Sequence, residues 1–302
     1  LTESLGNELL QDENGQLMAL EPRRARTQYG FWLPSLHLRQ RPSEKWQWRF
    51  SLGTGYARPD YFALLPTRFV DVEDETVRRG NPALAPAFAW NLDLQLEHYA
   101  GELTAFTVGL FAKHIRNFQY RSVGVVTGDE FAEAGPYRGF RLNEYRNGRA
   151  VRILGVELSV QQQLKGLPAP FNRLFVNANY TFTTSRGGTA LREDVRLPGQ
   201  APHTGNLALL YQDEDFTAGI SLNYNGSFVS RIGSTPAEDE IRHDRYQLDV
   251  NVTHRLGKHF RLFAEGLNLT DWPQYNFLGD PDRVTELEIY GWSVRAGVGW
   301  RF

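Results

Sequence analysis

Apolar and polar positions alternate along most of this chain. The last sixteen residues, Leu287–Phe302, carry almost only apolar side chains at one set of alternate positions and small or charged ones at the other. Side chains on a β-strand point alternately to opposite faces. The segment therefore predicts a strand with one apolar and one polar face, whereas a helical period of 3.6 would mix the two sets.

The same alternation predicts about eleven amphipathic strands, most of them near the roughly 9–11 residues that a tilted membrane strand requires. The predicted strands are Tyr29–Arg39, Trp46–Tyr56, Phe88–Tyr99, Glu102–Phe118, a fifth around Val156, Leu158 and Val160, Arg173–Thr184, His203–Tyr211, Phe216–Phe228, Arg245–Arg255, Phe260–Leu269 and Leu287–Phe302. Any one of them fits a soluble β-sandwich equally well, so the decision depends on how they are connected.

The connections alternate between short and long. The short ones are Gln40–Lys45, Ala100–Gly101, Leu164–Asn172, Gln212–Asp215 and Gly257–His259, and the long ones are Ala57–Ala87, Gln119–Asn147, Ser185–Pro202, Ser230–Asp244 and Asp271–Glu286. Outer-membrane barrels have short periplasmic turns and long extracellular loops. The pattern thus predicts an all-β, antiparallel up-and-down transmembrane barrel in the bacterial outer membrane, with the carboxyl terminus in the periplasm.

Aromatic residues near the strand ends favour the same interpretation, because membrane barrels carry aromatic girdles at both interfaces. The membrane-interface aromatics predicted on this ground are Trp32, Trp46, Trp90, Trp292, Trp300 and Phe302.

Composition excludes several other classes. The chain has no Cys and a formal net charge of −2, which argues against disulfide frameworks, thiolate metal sites and nucleic-acid binding. No run approaches the roughly 18 apolar residues of a membrane helix. No catalytic set, metal site or cofactor motif is evident, since Ser159 and Ser221 face the predicted lumen without a histidine placed to activate them. We expect no enzyme activity.

The amino-terminal residues Leu1–Glu21 contain no signal peptide, so the sequence reads as part of a longer chain. With the topology above, Leu1–Gln28 belongs to an extracellular loop. An even-stranded barrel then needs an odd number of further strands upstream, because an open sheet would leave unpaired edges in lipid.

Four stretches make the chain resemble a known family, the TonB-dependent outer-membrane receptors, in the carboxyl-terminal half of their barrel. These stretches are YARPDYFALL at Tyr56–Leu65 with GNPALAP at Gly80–Pro86, FTVGLFAKHIRNF at Phe106–Phe118, GVELSVQQQL at Gly155–Leu164, and FAEGLNLTD at Phe263–Asp271 before the terminal strand. The stretch LPGQAPHT at Leu197–Thr204 further resembles sequences from a branch of this family that is often linked to carbohydrate uptake.

The resemblance implies a barrel of about 22 strands, of which residues 1–302 would supply about eleven, with the plug domain and the first half of the barrel elsewhere. It also implies active import of a scarce nutrient, coupled to the TonB energising complex through the plug. Further implied partners are outer-membrane lipid, a small-molecule ligand and the barrel-assembly machinery, which would recognise the terminal strand through Phe302. A passive porin-like channel and an adhesive barrel remain alternatives of another class.

The long loop Gln119–Asn147 is the most binding-like stretch, because aromatic rings stack on sugars and guanidinium groups pair with anions. The candidate ligand-binding residues are Tyr120, Arg121, Tyr137, Arg138, Phe140, Arg141, Tyr145 and Arg146, together with Arg58 from the preceding long loop. Amides and hydroxyls such as Asn179 and Asn223 line the predicted lumen. Together these features favour an oligosaccharide or similar polar solute as ligand, with a ferric siderophore as the alternative.

Overall fold

The structure is a computed structural model that describes residues 2–11, 17–101, 103–127 and 137–300, with side chains described from residue 26 onward. Strands account for almost all of its regular structure. The strands are β1 Thr2–Gln11, β2 Leu17–Thr27, β3 Ser35–Ser43, β4 Trp46–Ala57, β5 Arg68–Asp71, β6 Thr76–Arg79, β7 Ala87–Gly101, β8 Thr104–Arg116, β9 Gln119–Val125, β10 Arg141–Asn147, β11 Ala150–Gln163, β12 Leu174–Gly187, β13 His203–Gln212, β14 Phe216–Asn225, β15 Phe228–Arg231, β16 Glu240–Arg242, β17 Arg245–Leu256, β18 Phe260–Leu267, β19 Gln274–Leu278, β20 Val284–Glu288 and β21 Ser293–Trp300. The helical pieces are α1 Tyr61–Leu64 and two 3₁₀ turns at Phe171–Arg173 and Pro236–Glu238.

Eleven strands form one antiparallel main sheet in the order β3-β4-β7-β8-β11-β12-β13-β14-β17-β18-β21. Each strand pairs with its sequence neighbour within the sheet, which is the up-and-down arrangement that the alternating pattern predicts. The connections β3–β4, β7–β8, β11–β12, β13–β14 and β17–β18 are short and lie at one end of the sheet. The predicted all-β architecture is therefore confirmed.

One face of the main sheet is a continuous apolar belt. Across four neighbouring strands, Leu94, Leu110, Val156 and Phe182 occupy directly opposite positions in register. Leu110 remains 49% exposed, and Val298 on the last strand 65%. Soluble proteins rarely expose contiguous apolar patches larger than a few hundred Å², so this face is suited to lipid. The opposite face carries the polar set, for example Gln95, Glu157 and Asn179.

All remaining strands lie at the long-loop end, which we call the outer end. A six-stranded outer sheet has the order β2-β1-β5-β6-β10-β9, and a four-stranded outer sheet has the order β15-β16-β19-β20. The compact hydrophobic core is here, because this end must exclude water by its own packing. One cluster contains Val70, Val77, Val126 and Leu142, and another joins Phe118 and Tyr120 to the top of β11 and to loop residues.

The first strand begins later than predicted. Residues 28–34 are irregular, and β3 starts at Ser35 instead of Tyr29. The alternation in this stretch has another cause: Phe31 stacks on Tyr56 and Phe88 at ring-centroid distances of 5.0 and 5.6 Å. Trp32 accordingly precedes the strand and is 92% exposed.

The last strand is shorter than predicted. Leu287 pairs with Tyr275 in the four-stranded outer sheet, and β21 begins only at Ser293. Gly291, with φ +73°, separates the two strands in a conformation that residues with a Cβ rarely adopt. Phe302 lies outside the described residues.

The fourth predicted strand ends before Phe118. Asn117 has φ +57°, which ends β8 at Arg116. Phe118 is 3% exposed and packs beside Tyr120 in the second hydrophobic cluster of the outer end. Its apolar side chain therefore belongs to the outer layer, although it continues the alternation of the membrane strand. Within the described residues, no helix is long and apolar enough to cross a membrane.

Candidate functional site

The outer face of β6, β9 and β10 gathers several of the predicted binding residues. Along these strands Asn143 lies opposite both Arg78 and Val123, Tyr145 opposite Arg121, and Arg141 opposite Thr76 and Val125. Because neighbours in register share a face, Arg78, Arg121, Arg141, Asn143 and Tyr145 lie on one side of the sheet. We call these five residues the cationic face.

The cationic face is open to solvent. Arg78, Arg121 and Arg141 are all exposed, and Tyr145 is 37% exposed. Within the described part of the chain, no carboxylate lies within ion-pair distance of these three guanidinium groups. The acidic turn between β5 and β6, residues 71–75, borders the face beside Arg141. The Arg78–Arg121 end is therefore the better place for an anion.

The opposite side of the same strands holds the sheet together. Glu144 has only 4% of its side chain exposed, and it accepts a hydrogen bond of 2.9 Å from Arg79 Nε on the neighbouring strand. Arg146 pairs with the same carboxylate. Val77 and Leu142 pack beside this ion pair in the core. Arg146, one of the predicted binding residues, thus has a structural partner.

Three predicted aromatic residues pack inward. Tyr120 is 4% exposed and lies against Phe118 with ring centroids 5.8 Å apart. Tyr137 and Phe140 form an edge-on pair at 5.6 Å and pack against the Val70 cluster. Their rings contribute to the hydrophobic core, so Tyr145 is the tyrosine of the set that the sheet presents to solvent.

The two remaining predicted residues lie off the cationic face. Arg138 is exposed in the turn before β10. Arg58 follows β4, and its Nη2 lies 3.4 Å from the Tyr56 hydroxyl. That hydrogen bond raises the pKa of the Arg58 guanidinium above its ordinary value, so it stays cationic. Arg78, by contrast, joins the site through the parallel pairing of β6 with β10, which no local sequence signal indicates.

The lumen face of the main sheet carries an amide ladder. Asn179, Asn206, Asn223 and Gln247 occupy directly opposite positions on four neighbouring strands. Asn206 Nδ2 donates to Asn179 Oδ1 at 2.9 Å, and Asn223 donates to Asn206. The predicted polar face is therefore present as a row of four amides, of which the three asparagines are joined by hydrogen bonds.

Four of the six predicted membrane-interface aromatics are found at the ends of the apolar face. Trp46 and Trp300 stand at the short-turn end, where they contact His98 and Phe260 respectively, with ring centroids 4.3 and 6.2 Å apart. Trp90 and Trp292 stand at the outer end and are 42% and 62% exposed. Their amphipathic rings suit the headgroup level of a bilayer. In the described residues there is no group of three or more His, Asp or Glu that could hold a metal ion.

The sequence model of the family described as "TonB dependent receptor-like, beta-barrel" matches residues 11–269 of this chain. The chain belongs to this family. As a member of the TonB-dependent receptor-like β-barrels, it lies in the bacterial outer membrane. This location explains the exposed apolar belt and the separation of short and long connections to opposite ends of the main sheet.

Solved structures of other receptors share this fold. A mutant of the ferric enterobactin receptor PfeA from Pseudomonas aeruginosa aligns with TM-score 0.61 and 16% identity over 90% of this chain and 40% of that chain. The copper transporter OprC aligns with TM-score 0.62 and 17% identity over 97% of this chain and 43% of that chain.

The siderophore receptor PirA from Acinetobacter baumannii aligns with TM-score 0.60 and 14% identity over 90% of this chain and 41% of that chain. This chain thus spans about two fifths of the length of the three proteins with solved structures. No curated protein sequence matches it.

Proposed function

We propose that this chain is part of an energised outer-membrane importer that first binds an anionic metal chelate, of the ferric siderophore type, at the cationic face. The observation that carries the proposal is the exposure of Arg78, Arg121 and Arg141 on one side of the outer sheet. Guanidinium groups bind catecholate, carboxylate or phosphate oxygens through charge-assisted, often bidentate hydrogen bonds.

The burial of the other aromatic residues weighs against a sugar as the first ligand. A saccharide-stacking surface needs several accessible rings, but Tyr120 is buried and Tyr137 packs against the core. The proteins of known structure with this fold include one named as a ferric enterobactin receptor and one named as a siderophore receptor. At 14–16% identity they share the fold alone, and their names agree with the chelate proposal.

An oligosaccharide remains the second candidate because of the amide ladder. Asn179, Asn206, Asn223 and Gln247 offer a row of neutral donors and acceptors facing the lumen. Hydroxyl groups of a neutral solute can exchange hydrogen bonds with such a row as the solute moves inward. Charge dependence separates the two candidates, since a neutral solute gains little from the arginines.

Binding to the complete protein in detergent micelles tests the proposal, with ferric enterobactin and a neutral maltooligosaccharide as probes. Replacing Arg78 and Arg121 together by Gln should weaken chelate binding by about tenfold or more, because each charged hydrogen bond contributes about 1.5–3 kcal/mol. Added salt should weaken it further through screening. Arg138→Gln is the matched control, as this exposed arginine lies off the cationic face.

The outcomes separate the candidates clearly. Chelate binding that is insensitive to salt and to Arg78→Gln/Arg121→Gln would contradict the proposal. Binding of the oligosaccharide that weakens with Tyr145→Ala and ignores salt would favour the second candidate. Uptake by cells lacking TonB would favour the passive channel over energised import.

A further inference from the structure

Basic residues occur on the lipid-facing side of the main sheet. On β8, Leu110, Ala112, His114 and Arg116 share one face because they are two residues apart. On the neighbouring strands, Arg152 lies opposite His114 and Arg186 lies opposite Arg152. We call His114, Arg116, Arg152 and Arg186 the outer basic patch. The patch faces away from the lumen and from the amide ladder.

The height of the patch matches the headgroup layer. It lies one residue pair above Leu154 and Ala112, which end the apolar belt, and two residues of a strand span about 7 Å. Trp90 lies directly opposite His114 and is 42% exposed. Tryptophan is enriched at membrane interfaces, so the basic groups are at the level where the lipid headgroups begin.

The patch has more positive charge than its protein neighbours balance. Like charges directly opposite each other on paired strands are destabilising, and Arg152 lies directly opposite Arg186. Arg186 Nε forms an ion pair of 3.0 Å with Asp194, but both side chains are largely exposed, at 78% and 74%.

The other basic groups of the patch have no carboxylate partner in the described residues. Arg116 lies over the ring of Phe88, with its Cζ 5.6 Å from the ring centroid. Glu193, the other acidic residue nearby, is paired with Arg149. An external anion would therefore relieve repulsion that the chain leaves in place.

A groove in the apolar belt runs up to the patch. Ala112 is small and lies between Leu92 and Leu154 on the neighbouring strands. The result is a shallow depression of about 400 Å³, whose lining includes Leu52, Trp90, His114, Arg152 and Leu154.

This depression continues toward the middle of the belt. A second one, of about 540 Å³, shares Leu92, Ala112 and Leu154 with the first and extends over Leu94, Leu110, Val156 and Phe182. The two shallow depressions thus form an apolar strip that leads down from the basic groups along the strands, on which a hydrocarbon chain can lie.

We propose that this side of the barrel is a binding site for a phosphate-bearing lipid of the outer leaflet. Arg152 and Arg186 hold the phosphate, with Arg116 and His114 beside it, and one acyl chain lies in the groove over Ala112. Guanidinium groups match phosphate oxygens bidentately. A free phosphate would leave the apolar groove unused, so the adjacency of groove and charges identifies a lipid as the occupant.

Native mass spectrometry of the complete protein in a non-ionic detergent tests the site. The probes are phosphatidic acid, diacylglycerol with the same chains, and inorganic phosphate. We expect retained phosphatidic acid, little retained diacylglycerol and no displacement of the lipid by equimolar inorganic phosphate. Arg152→Gln/Arg186→Gln should lower phosphatidic acid retention about tenfold or more, as two charged hydrogen-bonding groups are lost.

A second variant tests the groove without changing charge. Ala112→Leu fills the depression with an apolar side chain on a lipid-facing position, so folding should persist and phosphatidic acid retention should fall severalfold. Heat-modifiable electrophoretic mobility checks that each variant folds. Equal retention of phosphatidic acid and diacylglycerol would overturn the proposal, as would unchanged retention in both variants.

The cationic-face variant Arg78→Gln/Arg121→Gln is the control with the same change of charge. It should retain phosphatidic acid like the unmodified protein, because its arginines are on the outer sheet. If it loses the lipid as strongly as Arg152→Gln/Arg186→Gln, binding follows overall charge and the proposed site is wrong. Chelate binding measured on the same proteins reports separately on the proposed function.

Discussion

At the scale of single residues, the two faces of the main sheet should respond differently to charge. Val108 is in the apolar belt between Leu96 and Leu158 and is 44% exposed. Val108→Arg should cost about 2–4 kcal/mol, because a cation near the bilayer midplane is poorly solvated. Thr107→Arg, one residue away, faces Glu97 on the polar side and should cost much less. Urea unfolding in lipid vesicles measures both, and equal penalties would contradict the face assignment.

A glycine on the lumen side provides a second test at this scale. Gly155 is opposite Phe111, whose ring covers it, and a Cβ at Gly155 would lie 2.1 Å from the ring and 2.7 Å from the Phe182 carbonyl oxygen. Gly155→Ala should therefore destabilise the barrel by about 1–3 kcal/mol, as overpacking does.

The matched control for this glycine is Gly53→Ala. Gly53 is also in a strand of the main sheet, but the nearest atom to its added Cβ is 3.7 Å away. This substitution should change the unfolding free energy by no more than about 1 kcal/mol. A similar loss in both variants would mean that strand glycines matter here for backbone flexibility and not for ring packing.

At the scale of elements, the ion pair across β6 and β10 should decide whether the outer sheet is ordered. Glu144 is almost fully buried, and its carboxylate forms ion pairs with both Arg79 and Arg146. Glu144→Gln should destabilise the local structure by about 1–3 kcal/mol, less than a fully buried pair, since both arginines are about one third exposed. Hydrogen exchange of β6 and β10 should rise while the main sheet stays protected.

Glu193→Gln is the control for this element. Its ion pair with Arg149 is exposed on both sides, at 62% and 78% of the side chains, and such pairs contribute about 0–1 kcal/mol. Hydrogen exchange in the Glu193→Gln variant should therefore barely change. Unchanged exchange in Glu144→Gln as well would show that apolar packing alone holds β6 against β10.

The main sheet was predictable from sequence because its information is local. A strand in a membrane barrel alternates visibly over its own length, and each strand pairs with the next one along the chain. The outer sheets are different. β6 pairs with β10 in parallel across more than sixty residues, with Arg79 meeting Glu144. Nothing in the sequence near either strand specifies that contact. The burial of Tyr120 and the position of Arg78 therefore could not be predicted from the sequence and became visible only in the three-dimensional structure.

The same reason explains the errors at strand ends. Phe31, Phe118 and Leu287 continue the alternating pattern of a neighbouring membrane strand. In the structure Phe31 and Phe118 pack against other residues at the outer end, and Leu287 belongs to the four-stranded outer sheet. Alternation records only which side chains are apolar. It does not tell whether lipid or another loop covers them, and the left-handed residues Asn117 and Gly291 mark the change.

At the scale of the whole molecule, the main sheet has two edges, and their directions restrict how it can close. β3 and β21 stand at the two ends of the sheet, and each has one strand neighbour in the described structure. Every step between them is antiparallel, so the first and eleventh strands run in the same direction. An unpaired edge in lipid leaves backbone groups without hydrogen bonds. Closure of an antiparallel barrel therefore needs an odd number of additional strands between these two edges.

This restriction predicts the behaviour of residues 1–302 expressed alone behind a signal peptide. Two copies cannot form an antiparallel barrel, because β21 of one copy would meet β3 of the other in parallel. The segment alone should therefore yield no protease-resistant, heat-modifiable species in outer-membrane fractions, whereas the complete protein should. Co-expression with the further strands that the proposed barrel organisation requires should restore that species if the two parts find each other during assembly. A folded, heat-modifiable form of the segment alone, as monomer or dimer, would show that the eleven strands close without further ones and would overturn the proposed barrel organisation.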